Sequence, residues 1–166
     1  KRVIVTGGAG FIGSNLVKYL LRKKYFVINI DKFSYSANPY NLKKIKKDKN
    51  YLFFKTDINN RSKIIKILKK YKPEGIFNLA AETHVDRSID NPKNFILSNI
   101  LGTYNLLEAV LKYNKKIKIV HVSTDEVFGD LVKGRSKENF PYNPSSPYSS
   151  SKASADHLIK AYIRTY

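Results

Sequence analysis

Tyr148 and Lys152 stand four residues apart in Tyr148-Ser-Ser-Ser-Lys152. On a helix this spacing puts both side chains on one face. An ammonium there sits near the phenol and lowers its pKa toward a value useful for general base work. Upstream, a β-branched run ends in Ser123-Thr124, whose hydroxyls can orient a substrate hydroxyl, and Asp125 and Glu126 follow at once. Two adjacent carboxyl groups whose environments push their pKa values apart can divide proton removal from proton donation. The plain alternative is a polar loop carrying two solvated acids.

A second pattern concerns binding. Thr6-Gly7-Gly8-Ala9-Gly10-Phe11-Ile12-Gly13 falls between a strand pattern and a helix pattern. Gly7, Gly10 and Gly13 let the backbone turn tightly and approach a pyrophosphate, whose charge meets the amides and dipole of a helix N-terminus. The alternative is a tight strand-to-helix turn with no ligand. Asp31, 18 residues after Gly13, ends the second strand pattern, where a carboxylate accepts the ribose hydroxyls of adenosine. A 2'-phosphate would meet like charge there, so NAD is favoured over NADP; Lys32 next door weakens that preference. Asp57 reads equally as an adenine neighbour or as a helix N-terminal acid.

These residues need a scaffold, and the chain alternates short β-branched runs with helical patterns, the signature of βαβ units and a parallel sheet. Strands are predicted at Val3 to Thr6, Phe26 to Ile30, Tyr51 to Lys55, Gly75 to Leu79 and Lys118 to Ser123. The Ile12, Leu16, Leu20 stripe with Val17 and Leu21 predicts a first helix, and Ile64, Ile67, Leu68 and Tyr71 a second. A long helix is expected from near Pro92 to about Tyr113, with Ile96, Ile100, Leu107 and Leu111 buried, and Ala155, Leu158, Ile159 and Tyr162 mark the last one. The polar stretch from Asp31 to Asn50 allows a short helix, and the Gly-, Pro-, Ser- and Asn-rich stretch from Thr124 to Pro147 reads as an active-site loop.

Composition narrows the class. The 166 residues suffice for one domain with a real core. There is no cysteine, which removes disulfides and thiolate metal sites, and no metal site is expected. No run approaches the ~20 apolar residues of a membrane span, and Lys1-Arg2 leads straight into the first strand with no signal-peptide pattern. A soluble, cytoplasmic protein without a membrane partner is expected. The formal charge of +18 comes mostly from scattered lysines and the run Lys43, Lys44, Lys46, Lys47 and Lys49. Those lack the aromatic platform of single-strand binders, so a solvated face is expected and no nucleic-acid partner. The chain begins inside a strand pattern and ends inside a helix pattern, and is read as a fragment: an NAD-binding domain over residues 1–166 without its C-terminal substrate-binding part.

With the glycine pattern and Tyr-x-x-x-Lys together, the chain resembles the extended short-chain dehydrogenase/reductase superfamily. Asp31-Lys32-Phe33-Ser34-Tyr35, Ala80-Ala81-Glu82-Thr83-His84-Val85-Asp86-Arg87-Ser88-Ile89, Val122-Ser123-Thr124-Asp125-Glu126-Val127-Phe128-Gly129 and Pro144-Ser145-Ser146-Pro147-Tyr148 are similar, more narrowly, to the dTDP-glucose 4,6-dehydratases. The resemblance implies an α/β, Rossmann-type doubly wound parallel sheet in three layers, α/β/α. It implies a nucleotide-sugar substrate, NAD as cofactor and a homodimer formed through the long helix and the Tyr-Lys helix.

By the same resemblance, Tyr148, Lys152 and Thr124 carry oxidation at C4, Glu126 takes the C5 proton, and Asp125 protonates the departing C6 hydroxyl. Substrate contacts fall on Thr83, Thr124, Asp125 and Glu126. Cofactor contacts fall on Gly7, Gly10, Phe11, Ile12, Gly13, Asp31, Lys32, Phe33, Ser34, Asp57, Ile58, Leu79, Ala80, Ala81, Thr83, Ser98, Tyr148 and Lys152. His84 and Arg87 read as loop-holding residues or sugar contacts, and Asn99 as an asparagine that fixes the catalytic helix. Asn78, Thr83 and Phe128 depart from the usual His, Ser and Tyr. UDP-glucose 4,6-dehydratases share the Thr-Asp-Glu element, and a UDP-sugar 4-epimerase would need the Tyr-Lys pair and NAD but not the two acids.

Overall fold

The computed structural model describes residues 1–131 and 133–166; Val132, within the expected active-site loop, lies outside them. Five strands form one sheet: β1 (Arg2–Thr6), β2 (Phe26–Asp31), β3 (Tyr51–Lys55), β4 (Gly75–Asn78) and β5 (Lys118–His121). Their order is β3-β2-β1-β4-β5, and every neighbouring pair is parallel. The chain therefore winds outward from β1 in both directions, the doubly wound α/β arrangement that the sequence predicts. Sheets of this kind take ligands beyond the carboxyl ends of their strands, where the winding reverses. Here that point lies between β1 and β4, and the register sets Thr6 level with both Ile30 and Asn78.

The chain divides into two compact units. The first comprises Lys1–Ala80 and Asn105–Val122, and the second comprises Ala81–Tyr104 and Ser123–Tyr166. The first holds the whole sheet. Because side chains alternate along a strand and both faces are covered, its strands read as apolar runs. Val3, Val5 and Val27 pack with Val17, Leu20 and Leu21 of α1 (Phe11–Arg22) and with Leu42. On the other face Ile4, Ile28, Ile30 and Ile76 pack with Ile64, Ile67 and Leu68 of α2 (Arg61–Tyr71) and with Leu106, Ala109 and Val110. Each valine, leucine or isoleucine among these contributes about 1.5–3 kcal/mol by leaving water. This unit is thus itself three-layered.

Local signals account for the helix ends. The Asn60 side chain accepts the N–H of Lys63 at 3.0 Å and starts α2, which stops at left-handed Lys72 just before Pro73. The polar Asp31–Asn50 stretch contains a short 3-10 helix, Pro39–Ile45, capped by Asn38. In the second unit, α3 (Val85–Asp90) and α4 (Lys93–Phe95) precede a π-helical stretch, Ile96–Leu101, which continues into α5 (Gly102–Tyr113). The last helix, α6 (Pro147–Thr165), opens on a capping box between Ser146 and Ser149, with Pro147 in its first turn.

Three sequence expectations are corrected. The long helix is not uniform, and Ile96 is 53% exposed while Phe95, Ser98 and Asn99 are buried. A π turn carries more residues per turn than an α turn, so a 3.6-residue stripe does not keep its face through Ile96–Leu101. Ile12 is likewise off the buried stripe of α1, at 63% exposure, because it stands in the first turn beyond the packed part of the helix. Strands β4 and β5 stop one and two residues earlier than predicted, at Asn78 and His121.

Candidate active site

In the first unit the chain leaves β1 at Thr6 and turns through Gly7, whose φ of +70° suits glycine and whose Cβ would stand 2.8 Å from the Ala80 nitrogen. Thr6 fastens this turn to the end of β4. Its hydroxyl donates to Asn78 Oδ1 at 2.6 Å and accepts the N–H groups of Leu79 and Ala80, each at 3.1 Å. Asn78 is buried, and its Nδ2 lies 2.9 Å from His121 Nδ1. The departure from the usual histidine thus places a structural amide there.

Asp31 joins the loop to β2. Its Oδ2 accepts the N–H of Ala9 at 2.9 Å and its Oδ1 the N–H of Phe33 at 2.8 Å. Gly10 caps α1 without a side-chain acceptor, so the first amides of that helix are left for a ligand to satisfy. Phe11, 81% exposed, and Ile12 flank them. Uncapped amides, a nearby carboxylate and exposed apolar surface form a donor and acceptor set that fits a dinucleotide's pyrophosphate and ribose.

The ammonium of Lys32 lies 3.7 Å from Asp57 Oδ2. Asp57 is no helix cap: its Oδ1 accepts the N–H and side-chain amide of Asn59 at 2.9 and 3.1 Å, and the cap of α2 is Asn60. Phe33 has a φ of +59°, stacks on Phe53 at 4.9 Å and lies under the Lys55 ammonium. Ser34 pairs with Ser36, Ile58 is buried, and Leu79 and Ala80 follow β4.

Gly8 and Asn29 escaped the sequence reading as a pair. A Cβ on Gly8 would lie 2.2 Å from Asn29 Oδ1. Asn29 is fully buried and donates to the Tyr51 hydroxyl at 2.9 Å, so it has little room to move.

The second unit holds Ala81, Thr83, Ser98 and the reactive set. Thr124 caps a 3-10 turn, Asp125–Phe128, and its Oγ1 accepts the N–H of Glu126 at 3.3 Å. Asp125 and Glu126 are exposed on this turn. The Tyr148 hydroxyl is near enough to feel them. Burial pushes its phenol above the usual range, a hydrogen bond with Thr124 works the other way, and the charges of Glu126 and then Asp125 push it up again. The partial loss of water at this turn, then the charges of Asp125 and Asp130, raise the Glu126 carboxyl. Lys152 is itself buried, and burial lowers its ammonium while Asp156 raises it.

The remaining contacts fix α6. Ser88 Oγ accepts the Tyr148 N–H at 3.1 Å, and Phe95 meets the Tyr148 ring edge-on at 6.3 Å. The hydrogen bond implied for Asn99 is present: its Nδ2 donates to Ser151 Oγ at 2.8 Å and to the Glu82 carbonyl at 3.0 Å, while its Oδ1 accepts the Glu82 N–H. Thr83, His84 and Arg87 are exposed, and Ser98 is buried in the π-helical stretch. Ser123 does not offer its proton outward as the sequence reading allowed; its hydroxyl donates to Asp156. Among the described residues no group of three or more potential ligands is placed to hold a metal ion, and no helix is long and apolar enough to cross a membrane.

The profile of the GDP-mannose 4,6 dehydratase family matches residues 4–166. The chain belongs to that family. It is 44% identical to a dTDP-glucose 4,6-dehydratase of Neisseria meningitidis, across 100% of this chain and 50% of the relative. The crystal structure of a dTDP-glucose 4,6-dehydratase from Streptomyces venezuelae, with NAD bound, superposes with a TM-score of 0.95 at 40% identity, covering 100% of this chain and 52% of that one. A UDP-glucose 4-epimerase from Thermus thermophilus, also complexed with NAD, superposes with a TM-score of 0.90 at 33% identity, over 100% and 52% of the two chains. The chain thus spans about half the length of the relatives it matches, and the fold is common to dehydratases and epimerases.

Proposed function

We propose that the protein containing these residues is an NAD-dependent nucleotide-sugar 4,6-dehydratase acting on dTDP-glucose, and that residues 1–166 are its NAD-binding part. The observation that carries this reading is the Thr124-capped turn, which sets the charges of Asp125 and Glu126 where both act on the Tyr148 phenol. Tyrosine, lysine and a hydroxyl serve an oxidation or an epimerisation. Two further acids serve an elimination.

Gly7, Gly10 and Gly13, the N-terminal amides of α1 and Asp31 would hold the cofactor, with Lys32 to Ser34, Asp57, Ile58, Leu79 and Ala80 beside them; Ala81, Thr83 and Ser98 are cofactor contacts by the family resemblance. When bound, NAD supplies hydride acceptance from C4 and its return to C6. Thr124 positions the C4 hydroxyl, Tyr148 takes its proton, and Lys152 holds the phenolate. Glu126, whose raised pKa makes its carboxylate a stronger proton acceptor than an ordinary glutamate, then removes the C5 proton that the ketone has acidified. Asp125 gives a proton to the C6 hydroxyl, which leaves as water, and Glu126 gives its proton back to C5 as C6 regains hydride.

A homodimer belongs to the same proposal. Ile96, Leu97, Leu101 and Tyr104 leave an exposed apolar face on the π-helical stretch and the start of α5, which a second copy would cover.

The test is mass spectrometry of dTDP-glucose and UDP-glucose, each incubated with NAD and the full chain. Loss of one water from dTDP-glucose supports the proposal, and loss from UDP-glucose alone transfers it to that nucleotide. Unchanged mass with NAD bound overturns the dehydratase in favour of an epimerase.

A further inference from the structure

Tyr148, Lys152 and Asp156 stand at successive four-residue steps of α6, and on a helix such steps form one row. Asp156 is only 8% exposed. One of its oxygens, Oδ2, accepts the hydroxyl of Ser123, the residue before Thr124, and also the hydroxyl of Tyr142 at 3.1 Å. Tyr142 in turn meets Phe128, at the end of the turn that carries Asp125 and Glu126, edge-on at 5.3 Å, and lies under the Lys160 ammonium at 4.7 Å. His157 packs against the same ring at 5.1 Å. A single buried carboxylate therefore touches both segments that frame the acid pair, one helical turn beyond Lys152.

We propose that Asp156 is a positioning residue for the reaction: it ties Ser123 and Tyr142, and with them the Thr124–Phe128 turn, to α6, and its charge holds the Lys152 ammonium in the row beside Tyr148. It touches no reacting atom itself. A buried lysine otherwise tends to shed its proton, and a carboxylate one turn away opposes that loss. The other charged side chains on elements packed against α6 are Asp125 and Glu126 on the turn, Asp86, Arg87 and Asp90 on α3, and Lys93 on α4. Asp156 raises the Lys152 ammonium by its charge. For its effect on turnover the inference rests on the proposed dehydratase; its effect on Lys152 does not.

The test therefore reads Lys152 directly, by NMR titration of lysine labelled at Cε in the full chain, with the signal assigned through Lys152→Arg. Asp156→Asn should lower the Lys152 pKa by about one unit and carry the alkaline limb of kcat down with it, and Asp156→Glu should restore most of both. The double variant Ser123→Ala with Tyr142→Phe removes both donors but leaves the charge, so it should lower kcat while the Lys152 titration stays near wild type. Equal loss of activity in Asp156→Asn and the double variant, with Lys152 unmoved in both, would reduce Asp156 to a structural residue. So would a large Lys152 shift in the double variant, a result that stands even where Asp156→Asn does not fold. A shifted Lys152 in a protein that eliminates no water would leave Asp156 in its role and sink the dehydratase reading alone.

Discussion

Asp31 and Ala9 are joined across 22 residues of sequence by a hydrogen bond of 2.9 Å, from the Ala9 backbone N–H to the Asp31 carboxylate. The same carboxylate holds the N–H of Phe33 with its other oxygen. The group assigned to the cofactor ribose thus also shapes the loop assigned to the pyrophosphate. Asp31→Asn keeps the shape but turns an NH2 group toward one of these amides. NAD affinity should fall about tenfold or more, and the protein should lose about 1–3 kcal/mol of stability without NAD. Calorimetric titration and a melt without NAD check both, and weaker binding with an unchanged melt would mean that the loop does not depend on Asp31.

Gly8→Ala should destabilise the protein, since the new methyl would stand 2.2 Å from Asn29 Oδ1. Overpacking of this kind costs about 1–3 kcal/mol. Adding Asn29→Ala clears the space, so the double variant should be less unstable than the two single losses added together. Chemical denaturation of the four proteins measures the coupling, and strict additivity would show that the two positions do not meet.

On the proposed mechanism, Glu126→Gln in the full chain should stop the reaction after C4 oxidation. The product expected is a 4-keto sugar of undiminished water content, with NADH left on the protein, and dehydration should fall by about 100-fold or more. Absorbance of bound NADH with a mass spectrum of the sugar checks this. Wild-type dehydration by this variant would remove Glu126 from the assigned step.

In the proposed mechanism Glu126 acts as a base, which requires it to be ionised, and burial, Asp125 and Asp130 all raise its pKa. The acid limb of kcat should therefore lie above that of an ordinary glutamate. Asp130→Asn removes one like charge, so the carboxyl should ionise at lower pH and the limb should move down. A pH profile of kcat decides the sign, and movement to higher pH would contradict the assignment.

Much of the fold was legible along the chain. Tyr51–Lys55 came out as a strand with both bounds correct, and the doubly wound order follows from strands alternating with helices. These features depend on periodicity and turn chemistry within a few residues, which a sequence displays directly. The glycine loop, Asp31 and the Tyr148–Lys152 spacing were visible for the same reason.

Other features depend on which distant segments the packed chain brings together. Asn29 against Gly8, and Ser123 and Tyr142 on Asp156, are contacts across 21, 33 and 14 residues, and no local pattern marks them. The π-helical register that exposes Ile96 is likewise invisible to a stripe counted at 3.6 residues. Residue types and spacings determined that this chain carries a phenol, an ammonium, a hydroxyl and two acids on a dinucleotide-type scaffold. Burial and neighbouring charge decided how those groups titrate, raising Tyr148 and Glu126 and lowering Lys152, because the work of charging a group depends on the water it has lost and the charges it has gained.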